Sequence, residues 1–151
     1  MNPLGLVFGT VFVHHNTRIA FVEAVDDFVL RFILDGSEDE EYLVDLGGGV
    51  MGRPTVRWLL EEYAAGRLRE CSHGEMTVSE WRGRYLGWDV AACLAKDPLS
   101  VAKYDLALSA LQAGKPRSEG TLRRFAQSRW PGEFQFPSGR SIIRWMNNLL
   151  A

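Results

Sequence analysis

Arginine and asparagine are the side chains best shaped to read the edge of a base pair. The C-terminal end of this sequence sets several of them on one side of an expected helix. From about Gly139 onward, Ile142, Trp145, Met146 and Leu149 recur at i, i+3, i+4 and i+7, which is one helical face. Arg140, Ser141, Arg144, Asn147 and Asn148 fall on the other face, with Ile143 on the flank. A guanidinium can donate two bonds to guanine O6 and N7, and a carboxamide can bond bidentately to adenine N6 and N7. Each such pair is worth about 1–3 kcal/mol of discrimination. Upstream, Arg123, Arg124 and Arg129 are suited to holding phosphates and fixing the docking register. Every amphipathic surface helix has a polar outer face, so this pattern gains weight only from what surrounds it.

The other reactive residue types form no comparable set. His14 and His15 are read as neighbours on a strand, whose side chains point to opposite faces and do not easily share a metal. Cys71-x-His73 lacks the second ligand pair of a structural zinc site. Cys71 and Cys93 are read as small buried hydrophobes, not as nucleophiles. Gly47-Gly48-Gly49 is followed by no G-K-[ST], and the G-x-G-x-x-G spacing is not completed, so a phosphate cradle is not expected. No catalytic residues, metal or cofactor are assigned, and the chain is not read as an enzyme.

The elements that must position the C-terminal arginines follow from periodicity and punctuation. Thr10 to His14, Arg18 to Ala24 and Phe28 to Leu34 are Val-, Phe- and Ile-rich runs of strand length, and Tyr42 to Leu46 is a further short strand. His15-Asn16 and Asp26-Asp27 supply turn chemistry between them. The acidic run Glu38 to Glu41 suits a solvated hairpin tip. These strands predict a small antiparallel β unit over residues 1–49, an SH3-like barrel or curled sheet, closing on the three glycines as a hinge. Residues 50–151 predict a helical domain. A helix runs from Pro54 through Val56, Leu59, Leu60 and Tyr63 and stops at Gly66. A second starts at the capping box Thr77/Glu80 and carries Trp81, Tyr85, Trp88, Ala92 and Cys93. Ser100 to Ala113 is a further helix stopped by Gly114. Ser118 to Trp130 is a helix with Leu122, Phe125 and Ala126 inward, and Phe134 and Phe136 are expected to plug the space between helices. Ser138 is the N-cap candidate of the last helix. The fold class is therefore α+β, with a helix-turn-helix at about residues 100–151.

The chain has 151 residues, of which 46% are apolar and 24% charged, so it can bury a core without disulfides. Two cysteines without paired spacing fit a reducing, cytoplasmic setting. No apolar run approaches membrane-spanning length. The N-terminus, although apolar, lacks a basic stretch and a small-residue cleavage site, so it is not read as a signal peptide. The net charge of −2 hides an asymmetry. Residues 1–46 hold two basic against nine acidic side chains, residues 47–114 eight against eight, and residues 115–151 seven against two. A basic block on an otherwise acidic chain is the footprint of a polyanion partner. Double-stranded DNA is the expected partner. The competing expectation is a protein-interaction module whose arginines dock an acidic protein.

Pro137-Ser138-Gly139-Arg140-Ser141-Ile142-Ile143-Arg144-Trp145 resembles the P-S-x-x-T-[ILV]-x-R-W segment of the Mu and TnsB/TniA-type DDE transposases. In that family the segment begins the recognition helix of an N-terminal helix-turn-helix, and a comparable β unit precedes it. Ser141 stands where the family usually has threonine. The resemblance implies that Arg140, Ser141 and Arg144 face transposon-end DNA and that other transposition proteins are partners. It also implies a longer parent protein that performs transposition, DNA recombination and integration with a DDE catalytic domain beyond residue 151.

Overall fold

The structure is a computed structural model that describes residues 6, 8–71 and 90–150, with the backbone alone at 90. The expected Thr77/Glu80 capping box, the stripe from Trp81 to Trp88, and His73 lie outside the described residues.

The β-rich first third folds as its apolar runs require. Strands β1 (Val11–His14) and β2 (Thr17–Ala24) form a hairpin across His15-Asn16, with Val11 opposite Ala20 and His14 opposite Thr17. Strand β3 (Leu30–Leu34) pairs antiparallel with β2, through an irregularity between Phe21 and Glu23. The expected strand Tyr42 to Leu46 is reduced to β4 (Val44–Asp45), which pairs only with β5 (Met51–Gly52). The backbone just before β4 is taken up differently, because Leu34 N–H donates to Glu40 O and Tyr42 N–H to Phe32 O, so this segment runs beside β3. Gly47-Gly48-Gly49, expected as a hinge, is the turn of the β4–β5 hairpin. All three glycines have positive φ (102°, 62° and 78°), a region costly for residues with a Cβ. After helix α1 (Val56–Ala64), strand β6 (Leu68–Glu70) returns to the free side of β1. The main sheet therefore has the order β3-β2-β1-β6, antiparallel throughout.

The alternation along the strands explains the core. Phe12, Ile19, Phe21, Leu30, Phe32 and Leu68 are buried, and Phe32 meets the rings of Phe12 and Phe21 edge to face at 5.8 and 5.5 Å. Val56, Leu59 and Leu60 of α1 belong to the same cluster. Thr55 caps α1, its hydroxyl accepting from Trp58 N–H.

Helix α2 (Val90–Ala95) leads to α3 (Pro98–Gln112), then α4 (Glu119–Gln127) and α5 (Gly139–Leu149). The third helix opens at Pro98 and not at Ser100 as expected. Proline is well placed in a first turn, and the Asp97 carboxylate accepts from Ser100 N–H as N-cap.

One hydrophobic cluster runs through both halves of the chain, from Phe12 and Phe32 to Ile142, Met146 and Leu149. Phe28 stacks on Tyr104 of α3 at 5.8 Å. Arg53 N–H donates to Leu149 O, and the Arg53 guanidinium donates to Asn148 O, so residues just past β5 receive the end of the last helix. The molecule is α+β, with a small four-stranded antiparallel sheet and, among the described residues, five helices. No described helix is long and apolar enough to cross a membrane.

Candidate nucleic-acid interface

Helix α5 is fixed at its start by two local features. Ser138, extended at φ −73° and ψ 154°, accepts the Ser141 N–H at its hydroxyl, 3.1 Å away. Gly139 lies against the first turn of α4 so closely that a Cβ there would stand 2.5 Å from both Cα and O of Glu119. The two helix starts therefore cross with backbone against backbone.

From that anchor the helical period divides the faces as expected. Ile142, Met146 and Leu149 are fully buried and Trp145 is nearly so. Burying a large apolar side chain is worth about 1.5–3 kcal/mol, so turning α5 about its axis is prohibitively costly. Opposite this face, Arg140, Arg144 and Asn147 are exposed and stand at i, i+4 and i+7, one stripe along the helix. Arg140 has 89% of its side chain exposed and lies 3.7 Å from Glu119, an exposed and salt-screened pair. Arg144 makes no ion pair or hydrogen bond among the described residues. Asn147 accepts from the Arg117 guanidinium at 3.3 Å. Ser141 is half-buried beside the stripe, and its hydroxyl meets that of Ser138 at 3.0 Å.

Asn148 does not belong with the outward set in which the sequence placed it. Its amide donates to Asp26 at 2.7 Å and to the Tyr104 hydroxyl at 3.2 Å, tying α5 to the turn before β3. Beside it lies a hollow of about 360 Å³ lined by Asp26, Asp27, Lys103, Arg144 and Trp145 among others. The Arg144 edge of the stripe thus borders two carboxylates as well as a lysine.

The three arginines expected to hold phosphates have different settings. Arg124 is exposed and points away from the buried Leu122 and Ala126. Arg123 is exposed over the ring of Phe136, 5.7 Å from its centre. Arg129, just past the end of α4, folds back on that helix, its guanidinium 3.9 Å from the Phe125 ring centre and donating to Phe125 O and Ser128 Oγ. It lines a hollow with Ala102, Asp105 and Leu106 of α3, and no described contact joins it to the α5 stripe.

The aromatic residues between α4 and α5 divide their roles. Trp130 stacks on Trp145 at 5.8 Å, and its indole N–H donates to Phe134 O and Gln135 O, so it is a structural pillar. Phe134 packs edge-on against Trp130, as a plug should. Phe136, also expected as a plug, is 37% exposed beneath Arg123.

Two cations that sequence reasoning did not assign to the site are near it. Arg117 reaches Asn147, and Lys103 stands 5.7 Å from the Trp145 ring centre beside Arg144. Neither has a periodicity signal, because each is brought to α5 by tertiary packing. Elsewhere, His14 and His15 do not point to opposite faces. His15 is a turn residue with φ 46°, and the two rings are 4.3 Å apart.

Comparison of the chain with protein-family models, with curated proteins and with solved structures finds no match.

Proposed function

We propose that this chain binds double-stranded DNA sequence-specifically, with α5 entering the major groove. In this reading α3, α4 and α5 act as a helix-turn-helix variant whose turn is the long 128–138 connection. Arg140, Arg144 and Asn147 read base edges, with Ser141 at their margin. Arg123 and Arg124 hold phosphates, and Arg129, already engaged with the end of α4, contributes charge more than contact. The observation that carries the reading is the exposed Arg140-Arg144-Asn147 stripe directly opposite a buried apolar face. A B-form major groove about 12 Å wide admits a helix presenting such a stripe. The concentration of positive charge in residues 115–151 supports the same partner.

The resemblance of Pro137–Trp145 to Mu and TnsB/TniA-type transposases makes the target transposon-end DNA. The chain is then the end-recognition part of a larger recombinase, whose chemistry resides in a separate DDE domain. The competing reading, docking of an acidic protein, draws support from Glu119 beside Arg140, where the stripe already accommodates a carboxylate.

Selection of bound sequences from a random duplex pool, followed by salt-titrated binding of the enriched duplex, tests the proposal. An enriched motif bound about 10³-fold or more tighter than random duplex is expected for specific recognition. A pool that shows no enrichment, with weak salt-sensitive binding to every duplex alike, would favour the acidic-protein reading.

A further inference from the structure

We propose that His14, His15 and Glu62 form a binding site for one divalent transition-metal ion of the zinc class. The β1–β2 hairpin turns through His15 and Asn16, both left-handed at φ 46° and 65°. Two successive left-handed residues mark the tight type I′ turn. His15 thereby leaves the alternation of the strand, and its ring comes to 4.3 Å from that of His14. Glu62 of α1 places Oε1 3.1 Å from His14 Nε2. One ligand atom from each of the three residues lies within 4.8 Å of the other two. Bonds of about 2.0–2.2 Å at tetrahedral angles put ligand atoms roughly 3.4 Å apart. The exposed His15 ring can close that gap by rotating.

The chemistry of the donors fits such an ion. Two borderline imidazole nitrogens and one hard carboxylate oxygen make a ligand set that zinc accepts, with a fourth position left for water. The surroundings resemble a metal site's outer shell. The Tyr42 hydroxyl sits 2.7 Å from His14 Nδ1 and orients the ring so that Nε2 faces Glu62. Arg67 engages the other carboxylate oxygen of Glu62 and leaves Oε1 to the ion. Trp58 packs its ring edge-to-face against His14, 4.7 Å between centres, and His14 is only 5% exposed. Without metal, a proton on Nε2 donated to Glu62, with Tyr42 O–H donated to Nδ1, satisfies both bonds. The ion takes the place of that Nε2 proton, which passes to solvent. Bound metal would clasp the β1–β2 turn to α1, on elements separate from α5.

Calorimetric titration of the EDTA-stripped chain with zinc chloride tests this, with histidine ring NMR as a second readout. One equivalent should bind, raise Tm by mass action and shift the ring signals of His14 and His15. His15→Asn retains a residue that tolerates the left-handed turn but removes one ligand, and should weaken binding about tenfold or more. Tyr42→Phe removes the orienting hydroxyl and should weaken it about 10- to 100-fold. No binding at millimolar zinc, equal affinity in the wild type and His15→Asn, or shifts confined to His73 would overturn the proposal.

Discussion

The hydroxyl of Ser138 decides where α5 begins, because it satisfies the Ser141 N–H that the first turn otherwise leaves unpaired. Ser138→Ala should cost about 0.5–2 kcal/mol of stability, measured by urea denaturation. It should fray the turn that presents Arg140, so DNA affinity should fall with it. An unchanged midpoint would show that the cap contributes nothing. His14 offers a second residue-scale test. Burial holds its pKa below the ordinary 6.5, partly offset by the hydrogen bond to Glu62. Burial tends to raise Glu62, but its bonds to His14 and Arg67 bring it below its ordinary 4.5. His15 and Arg67 add positive charge around His14, and Tyr42 occupies its other nitrogen. A histidine with a lowered folded pKa contributes stability that is full above 6.5 and is lost as pH falls through that value toward the folded pKa. Glu62 adds a second loss at lower pH, as its carboxylate protonates. In EDTA, Tm should therefore fall between about pH 7.5 and 5.5, and His14→Gln should flatten that slope. A wild-type Tm that is level across this range would contradict the assignment.

The crossing of α4 and α5 is the element-scale feature on which presentation of the stripe depends. Gly139 permits backbone contact with Glu119, and a methyl group there has no room to move into. Gly139→Ala should cost about 1–3 kcal/mol and weaken DNA binding by shifting α5 against α4. A thermal melt and a binding isotherm on the same variant check both parts, and wild-type values in both would refute this role. The division of α5 into faces was legible in the sequence, since Ile142, Trp145, Met146 and Leu149 obey the helical period and Ser138 marks the start. The outer face was legible only in part. Asn148 lies beside Arg144 by periodicity, yet its partner Asp26 is distant in sequence and nothing local announces it. Arg129 fits the phosphate-holding type, but its position past the end of α4 lets it reach back to Phe125 O. The His14–His15 geometry could have been anticipated, because His15-Asn16 reads as a turn and a turn residue does not follow strand alternation.

Across the whole molecule, the cluster joining Phe12 and Phe32 to Ile142 and Leu149 ties the sheet to the C-terminal helices. The sequence showed β1 to β3 and the helices α1 and α3 to α5 individually, but not β5 or β6, because strands of two and three residues carry no readable period and lie in the stretch expected to be helical. It read the three glycines as a hinge because their freedom suits a linker as well as a hairpin turn, and the choice rests on what packs beside them. Gln112 of α3 lies against Gly47 and Gly48, and the end of α5 lies against Gly52. Thermal unfolding followed by tryptophan fluorescence and by far-UV circular dichroism should give one coincident transition. Two separated transitions would mean that the sheet and the helices are energetically independent.

On the proposed division of roles, the stripe on α5 reads bases while Arg124 supplies only charge. The most direct measurement is the affinity of the wild type, Arg144→Ala and Arg124→Ala for an enriched and a random duplex over a range of salt. Arg144→Ala should cost about 1–3 kcal/mol of discrimination between the specific and random duplex, whereas Arg124→Ala should weaken both duplexes alike and reduce the salt slope by about one unit. Equal losses for both variants on every duplex would contradict the claim.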